Sequence, residues 1–176
     1  LPILKEGRAV NPEMWILDSP WSPPAWMEFN KSMLGGGMRR GSLAPMAAYV
    51  EKFLDAYAAE GVRVNSVTPQ NEIDTEQDGR MPACSWPQEY EIEYVRDHLG
   101  PRMAKSANPA DIWILDHNYN LGGRVVDELE DEKARAFMKG VAWHGYAGKP
   151  EQMMNVKKAF PQIDMFWTEG GPDWEA

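Results

Sequence analysis

Two glutamates, Glu72 and Glu169, are the residues of this sequence best suited to breaking a covalent bond. Each follows a short apolar run: Val64 to Val67 leads into Thr68-Pro69-Gln70-Asn71-Glu72, and Met165-Phe166-Trp167 leads into Thr168-Glu169-Gly170. Cleavage of a glycosidic bond needs two carboxyl groups with different protonation. One gives a proton to the departing oxygen, and the other attacks the anomeric carbon or activates water. The two glutamates are 97 positions apart. A (β/α)8 barrel of roughly 250 residues spends about 31 on each βα unit, so this interval is close to three units. Both would then sit at strand ends facing one mouth, and a retaining hydrolase holds its carboxyl groups only about 5 Å apart. The neighbours suit such a pair. Asn71 offers an amide to a sugar hydroxyl, Gly170-Gly171 lets backbone approach a ligand closely, and Tyr146 can donate a hydrogen bond that keeps Glu169 ionised. A lone glutamate at a strand end is usually half of a structural ion pair. Two at this spacing, in these settings, favour chemistry.

The elements that must position them follow from hydrophobic pattern. Five short apolar runs end abruptly in polar residues: Trp15-Ile16-Leu17 before Asp18-Ser19-Pro20-Trp21, then Val64 to Val67, then Ile112-Trp113-Ile114-Leu115 before Asp116-His117-Asn118, then Val141-Ala142-Trp143 before His144-Gly145-Tyr146, and finally Met165-Phe166-Trp167. Runs without alternation are what strands buried on both faces look like. Between them lie helical patterns over Pro45 to Glu60, with Gly61 as a stop, from Pro87 through Leu99, over about Arg124 to Lys139, and over about Glu151 to Phe160. Strands alternating with helices predict an α/β fold with a parallel sheet. Polar clusters at strand C-termini suit a barrel mouth. Doubly wound sheets also bind ligands there, but no Gly-rich phosphate loop follows a strand here. The expected fold is an incomplete (β/α)8 barrel, with residues 1–176 as one partial domain.

Composition narrows the function classes. The 176 residues carry a formal charge of −9, which argues against nucleic acid as a partner. No apolar run is long enough to span a bilayer. The start, Leu1-Pro2-Ile3-Leu4-Lys5, has neither Met nor a signal-peptide core, so it reads as the interior of a longer chain. Cys84 is the single cysteine and reads as a small buried hydrophobe. The three histidines, His98, His117 and His144, lack the i, i+4 pairing of a metalloprotease, and no metal or organic cofactor is expected. Asp74-x-Glu76-x-Asp78-Gly79 imitates the start of a calcium loop, yet its twelfth position is Ser85 rather than a bidentate Glu. It reads as a solvated acidic loop. Asn30-Lys31-Ser32 matches a glycosylation acceptor, a pattern too short to count by itself. Among eight tryptophans, Trp21, Trp26 and Trp174 lie in loops beyond strand ends and are candidate sugar platforms. Trp113, Trp143 and Trp167 lie inside strands and are expected in the core.

These residues resemble glycoside hydrolase family 30, the family of lysosomal glucosylceramidase and bacterial β-1,6-glucanases. Ser19 to Met27 looks like the segment after the family's third strand, and Thr68-Pro69-Gln70-Asn71-Glu72 is similar to its acid/base motif after strand four. Asp97-His98-Leu99-Gly100-Pro101 resembles the end of the following helix. Asp116-His117-Asn118 resembles the fifth-strand motif, and Thr168-Glu169-Gly170 the seventh-strand motif that carries the nucleophile. Each fragment alone is weakly specific; five in this order carry the likeness.

The resemblance implies a retaining β-glycosidase acting on β-linked glucosides or related glycans, with Glu72 as acid/base and Glu169 as nucleophile. It implies that Trp21, Asn71, His144 and Tyr146 line the sugar pocket, with His117 and Asn118 in support. It also implies a secreted or periplasmic bacterial protein. Three departures stand out. Ile73 replaces the family's Pro, and Gly145 replaces the indole of its His-Trp-Tyr motif, which implies a pocket lacking one wall. Strands one, two and eight and a β-sandwich side domain have no counterpart. The open sheet expected from five strands exposes two edges and an uncovered interior, so these residues alone are expected to associate and to show little activity. The alternative to a hydrolase is a non-catalytic carbohydrate-binding barrel, although a binder has no need of both glutamates.

Overall fold

The computed structural model describes residues 1–171. Its centre is a five-stranded, all-parallel sheet in the order β1 (Leu17–Asp18), β2 (Ser66–Val67), β3 (Asp111–Asn118), β4 (Met138–His144) and β5 (Asp164–Glu169). Strand order equals chain order, so each connection crosses back over the same side and the sheet curls into a half-barrel. The five apolar runs of the sequence all become strands.

The outer layer is helical. Before the sheet comes α1 (Pro2–Val10), which the sequence reading missed. It is tied on by polar contacts, Lys5 Nζ to Glu60 Oε2 at 2.8 Å and Arg8 Nη2 to the Arg63 carbonyl at 2.7 Å, and it buries no residue. Helix α2 (Leu43–Ala59) turns Leu43, Met46, Ala47, Val50 and Leu54 inward at helical spacing. It stops where Gly61 takes φ 79°, and the Val62 N–H closes back on the Tyr57 carbonyl at 2.9 Å.

The helix opened by Pro87 runs further than expected: α3 (Gln88–Glu93) continues through wider π turns at Tyr94–Leu99 into α4 (Gly100–Met103). The expected helix over Arg124 to Lys139 is two helices and the start of a strand. α5 (Gly122–Glu130) ends before Asp131, whose carboxylate accepts from the Lys133 and Ala134 N–H groups and starts α6 (Glu132–Arg135) afresh. Met138 and Lys139 belong to β4, where sheet pairing outweighs helix propensity. α7 (Glu151–Ala159) lies where expected. No helix among the described residues is long and apolar enough to cross a membrane.

Ile112 and Ile114 of β3 join the main core with Val67, Val141 and Trp143. Trp113, between them, faces the other side of the sheet and stacks on Phe166 with ring centres 3.6 Å apart and, at 6.2 Å, on Trp15. An aromatic layer thus lines the concave side, below the strand C-termini.

Candidate active site

The C-terminal ends of β2 to β5 converge on one histidine. His144, the last residue of β4, is 1% exposed. Its Nδ1 is 3.4 Å from Glu72 Oε1, while its Nε2 is 3.1 Å from Asp116 Oδ1 and 3.7 Å from Glu169 Oε2. Carboxylate oxygens of Glu72 and Glu169 and a His144 ring nitrogen all lie within 4.8 Å of one another. The glutamates singled out by spacing therefore do meet.

Glu72 leaves β2 through an irregular segment pinned by its own amides. Gln70 Nε2 donates to the Trp21 carbonyl at 2.7 Å, and the Asn71 N–H donates to the Pro20 carbonyl at 2.9 Å. The segment after β1, with Trp21, is thereby fixed to the segment after β2. Glu72 itself takes φ 48°, unusual for a residue with a Cβ, and its N–H donates to the Asp116 carbonyl at 2.8 Å. Its side chain is 11% exposed, accepts from Gln77 Nε2, and faces His117 Nε2 at 3.7 Å. His117 is oriented from behind by Asp74 through Nδ1. Asp74 departs from the solvated acidic loop expected of its segment, since its carboxyl is drawn to His117. Burial raises its pKa, but the His117 hydrogen bond and charge outweigh that and leave it below the usual range.

Asp116 is the principal residue the sequence reading passed over, quoted within a motif but given no role. It is buried, and its carboxylate accepts from Thr168 Oγ1 at 2.9 Å, Thr68 Oγ1 at 2.9 Å, Ser19 Oγ and His144. Burial opposes its ionisation most strongly, yet these donors and the His144 charge keep its pKa below the ordinary value. His144 shows the converse. Burial disfavours the imidazolium, but hydrogen bonds to Asp116 and Glu72 and the charges of Asp116 and Glu169 raise its pKa to about 9. At neutral pH both ring nitrogens then donate. An ion entering between Glu72, His144 and Glu169 would first have to displace that proton.

Glu169 ends β5, with its side chain partly open to solvent. Tyr146 donates its hydroxyl to Glu169 Oε1 at 3.2 Å, the contact expected from sequence. Partial burial, then the Glu169 charge, raises the phenol's pKa, so it remains a donor. Asn118 supports the site through the backbone: its Oδ1 accepts from the Tyr146 and Ala147 N–H groups at 3.0 and 3.1 Å, bracing the loop that carries Tyr146. Asn71 is buried beside Glu72. Trp21 and Trp26 are exposed aromatics, and no hydrogen bond joins either indole to the carboxylates among the described residues. Trp174 lies outside the described residues.

Trp167 corrects the core expectation, being 60% exposed, whereas Trp113 and Trp143 are buried. Its indole covers Gly145: a Cβ there would stand 2.9 Å from Trp167 Nε1. Room for that indole is the physical reason for a glycine between His144 and Tyr146. Trp167 of β5 thus fills the space beside Gly145.

Comparison with known proteins agrees with this fold. Residues 1–174 match the glycosyl hydrolase family 30 TIM-barrel domain. The chain is 28% identical over 173 residues to an endo-1,6-β-D-glucanase of Neurospora crassa, covering 95% of this chain and 35% of that protein. It is 29% identical over 175 residues to the lysosomal acid glucosylceramidase of Mus musculus, covering 91% of this chain and 34% of that one. A solved endo-β-1,6-glucanase superposes with a TM-score of 0.92 at 29% identity, over 99% of this chain and 41% of its own. The chain thus spans little more than a third of the curated relatives it matches. Its half-barrel is part of the fold those enzymes share, and the chain belongs to glycosyl hydrolase family 30.

Proposed function

We propose that this chain carries the catalytic pair of a retaining β-glycoside hydrolase acting on β-linked glucosides or related glycans. The observation that carries the reading is the approach of Glu72 and Glu169 to within 4.8 Å, oxygen to oxygen. Retaining enzymes hold their carboxyl groups about 5 to 5.5 Å apart, whereas inverting enzymes need roughly 6.5 Å or more to admit a water. Glu169, which receives the Tyr146 hydroxyl, attacks the anomeric carbon while Glu72 gives its proton to the departing oxygen. A glycosyl ester forms on Glu169 as the glycosidic bond breaks. Glu72, now ionised, takes a proton from water, which attacks the anomeric carbon and returns Glu169 to the free carboxylate. Named activities of the relatives, 1,6-β-glucan and glucosylceramide cleavage, support a β-glucoside as substrate.

In the full-length protein, Glu169→Gln is expected to lower turnover of nitrophenyl β-glucoside by about 10⁴-fold or more, since it removes the nucleophile. Glu72→Ala is expected to lose about 10²- to 10⁴-fold on natural linkages. It should recover in part with azide or a dinitrophenyl leaving group, which needs no acid. Unchanged turnover in Glu169→Gln ends the assignment and leaves a carbohydrate-binding barrel.

A further inference from the structure

Behind the strand ends, in a layer the mechanism does not touch, lies a largely buried ionic cluster. Arg124 of α5 donates from Nη2 to Glu91 Oε2 at 2.9 Å and from Nε to Glu128 Oε1 at 2.8 Å, and both glutamates are wholly buried. Arg124 Nη1 also reaches the Trp86 carbonyl at 3.3 Å. Burial, then the Glu91 charge, pushes the Glu128 carboxyl well above its ordinary range. The second oxygen of Glu91, Oε1, leaves the cluster and accepts the Leu115 N–H at 2.9 Å.

That bond lands at the most irregular point of the sheet. β3 pairs Leu115 with Ala142 and His117 with Trp143, so Asp116 is an extra residue in the ladder. Leu115 and Asp116 take φ 73° and 48°, two left-handed residues in succession with no glycine between them. An N–H turned out of the ladder inside the core needs another acceptor, and Glu91 is that acceptor. The bulge has two outputs. The Asp116 carboxylate holds His144, and the Asp116 carbonyl takes the Glu72 N–H at 2.8 Å while Glu72 itself stands at φ 48°.

We infer that Glu91 is a positioning residue for Glu72, acting through the Leu115–Asp116 bulge rather than through contact with substrate. The inference rests on the reading of Glu72 as acid/base. Loss of the acceptor lets the bulge relax toward a regular strand, which moves the Asp116 carbonyl and with it the backbone of Glu72. Arg124 keeps its hydrogen bond to Glu128, whose carboxyl ionises more readily once the neighbouring Glu91 carboxyl is gone.

The test is leaving-group dependence in the full-length protein. Glu91→Met removes the acceptor at similar volume, Glu91→Gln keeps an oxygen for Leu115, and Glu128→Gln alters the cluster without touching the bulge. For Glu91→Met, kcat/KM on phenyl β-glucoside is expected to fall by about tenfold or more, a fraction of a general acid's full contribution. Dinitrophenyl β-glucoside, which needs little acid assistance, should fall by less than about threefold. Glu91→Gln and Glu128→Gln should track wild type on both. Trapping of Glu169 with a 2-fluoro glucoside, read by mass spectrometry, should proceed normally in Glu91→Met. An equal loss on the two glucosides, or a Glu91→Gln variant as impaired as Glu91→Met, overturns the inference. Where Glu91→Met fails to fold, Glu91→Asp, its carboxylate drawn back from Leu115, takes its place with the same expectation. Failure of both to fold overturns it in favour of a role in folding alone. The underlying assignment fails separately, through retained activity in Glu169→Gln.

Discussion

His144 gathers three carboxylates around one buried ring. Its pKa rises from 6.5 to about 9 on folding. A group raised in this way stabilises the fold in full below its unfolded value, and that contribution is lost as pH climbs through about 9. Stability of the full-length protein, followed by thermal unfolding against pH, should therefore decline between about pH 7 and 9. The same titration removes the positive charge between Glu72 and Glu169, so kcat/KM should show an alkaline limb near that value. Asp116→Asn takes away the strongest partner of the imidazolium. It should move the limb to lower pH by about one unit or more, and it should cost about 3 kcal/mol or more by leaving a buried charge short of its partner. A limb unmoved in this variant would assign the titration elsewhere. Little of this was legible in the sequence. Glu72, Glu169 and Tyr146 were found because spacing and neighbours pointed to them, whereas Asp116 looked like one more polar residue past an apolar run. Its importance comes from donors on three other segments, Ser19, Thr68 and Thr168, which no local pattern brings together.

Strands and helices set where those side chains stand, and their legibility was uneven for physical reasons. The five strands were read from apolar runs because both sheet faces are covered along β3 and β4, so burial wrote a continuous signal. Helix α1 was missed because polar contacts rather than a buried face hold it. The break at Asp131 was missed because a carboxylate cap in mid-pattern looks like an ordinary surface residue until its two N–H partners are seen. The bulge in β3 is set by a glutamate 24 positions away and left no trace in the strand's own composition. The junction of β4 and β5 supplies a direct test of packing at this scale. Gly145→Ala places a methyl group where the Trp167 indole stands, and the indole must move. The expected loss is about 1 to 3 kcal/mol of stability, with a raised KM for aryl glucosides as the adjoining Tyr146 shifts against Glu169. Adding Trp167→Ala should return most of the stability and of KM, because the clash is gone. Additive losses in that double-mutant cycle would show that the two residues do not share the space.

At the scale of the molecule, the half-barrel presents a face and two edges that nothing among the described residues covers. β1 and β5 each have a single sheet neighbour. On the concave side Trp15 is 55% exposed while it stacks toward Trp113 and Phe166. That aromatic layer is the kind of surface a closed barrel fills with side chains from opposite strands. The open edges present unpaired N–H and C=O groups to any similar chain. The barrel class and the strand-end placement of both glutamates were readable because they follow from run length and interval. The incompleteness was readable as well, since no run in the sequence could supply the remaining strands. A protein made of these 176 residues alone should therefore associate at micromolar concentration, seen as larger species by size-exclusion chromatography with light scattering. It should hydrolyse nitrophenyl β-glucoside at least about 10²-fold more slowly than the full-length protein, because substrate lies against only half a mouth and the orientation that speeds an intramolecular reaction is lost. Charge does not prevent that association: the −9 of the chain repels copies at long range, but about 0.15 M salt screens it beyond roughly 8 Å, whereas edge pairing and aromatic burial act at contact. A monomeric species with full turnover would mean that the concave layer and the edges need no covering, and that Glu72 and Glu169 alone define the working site.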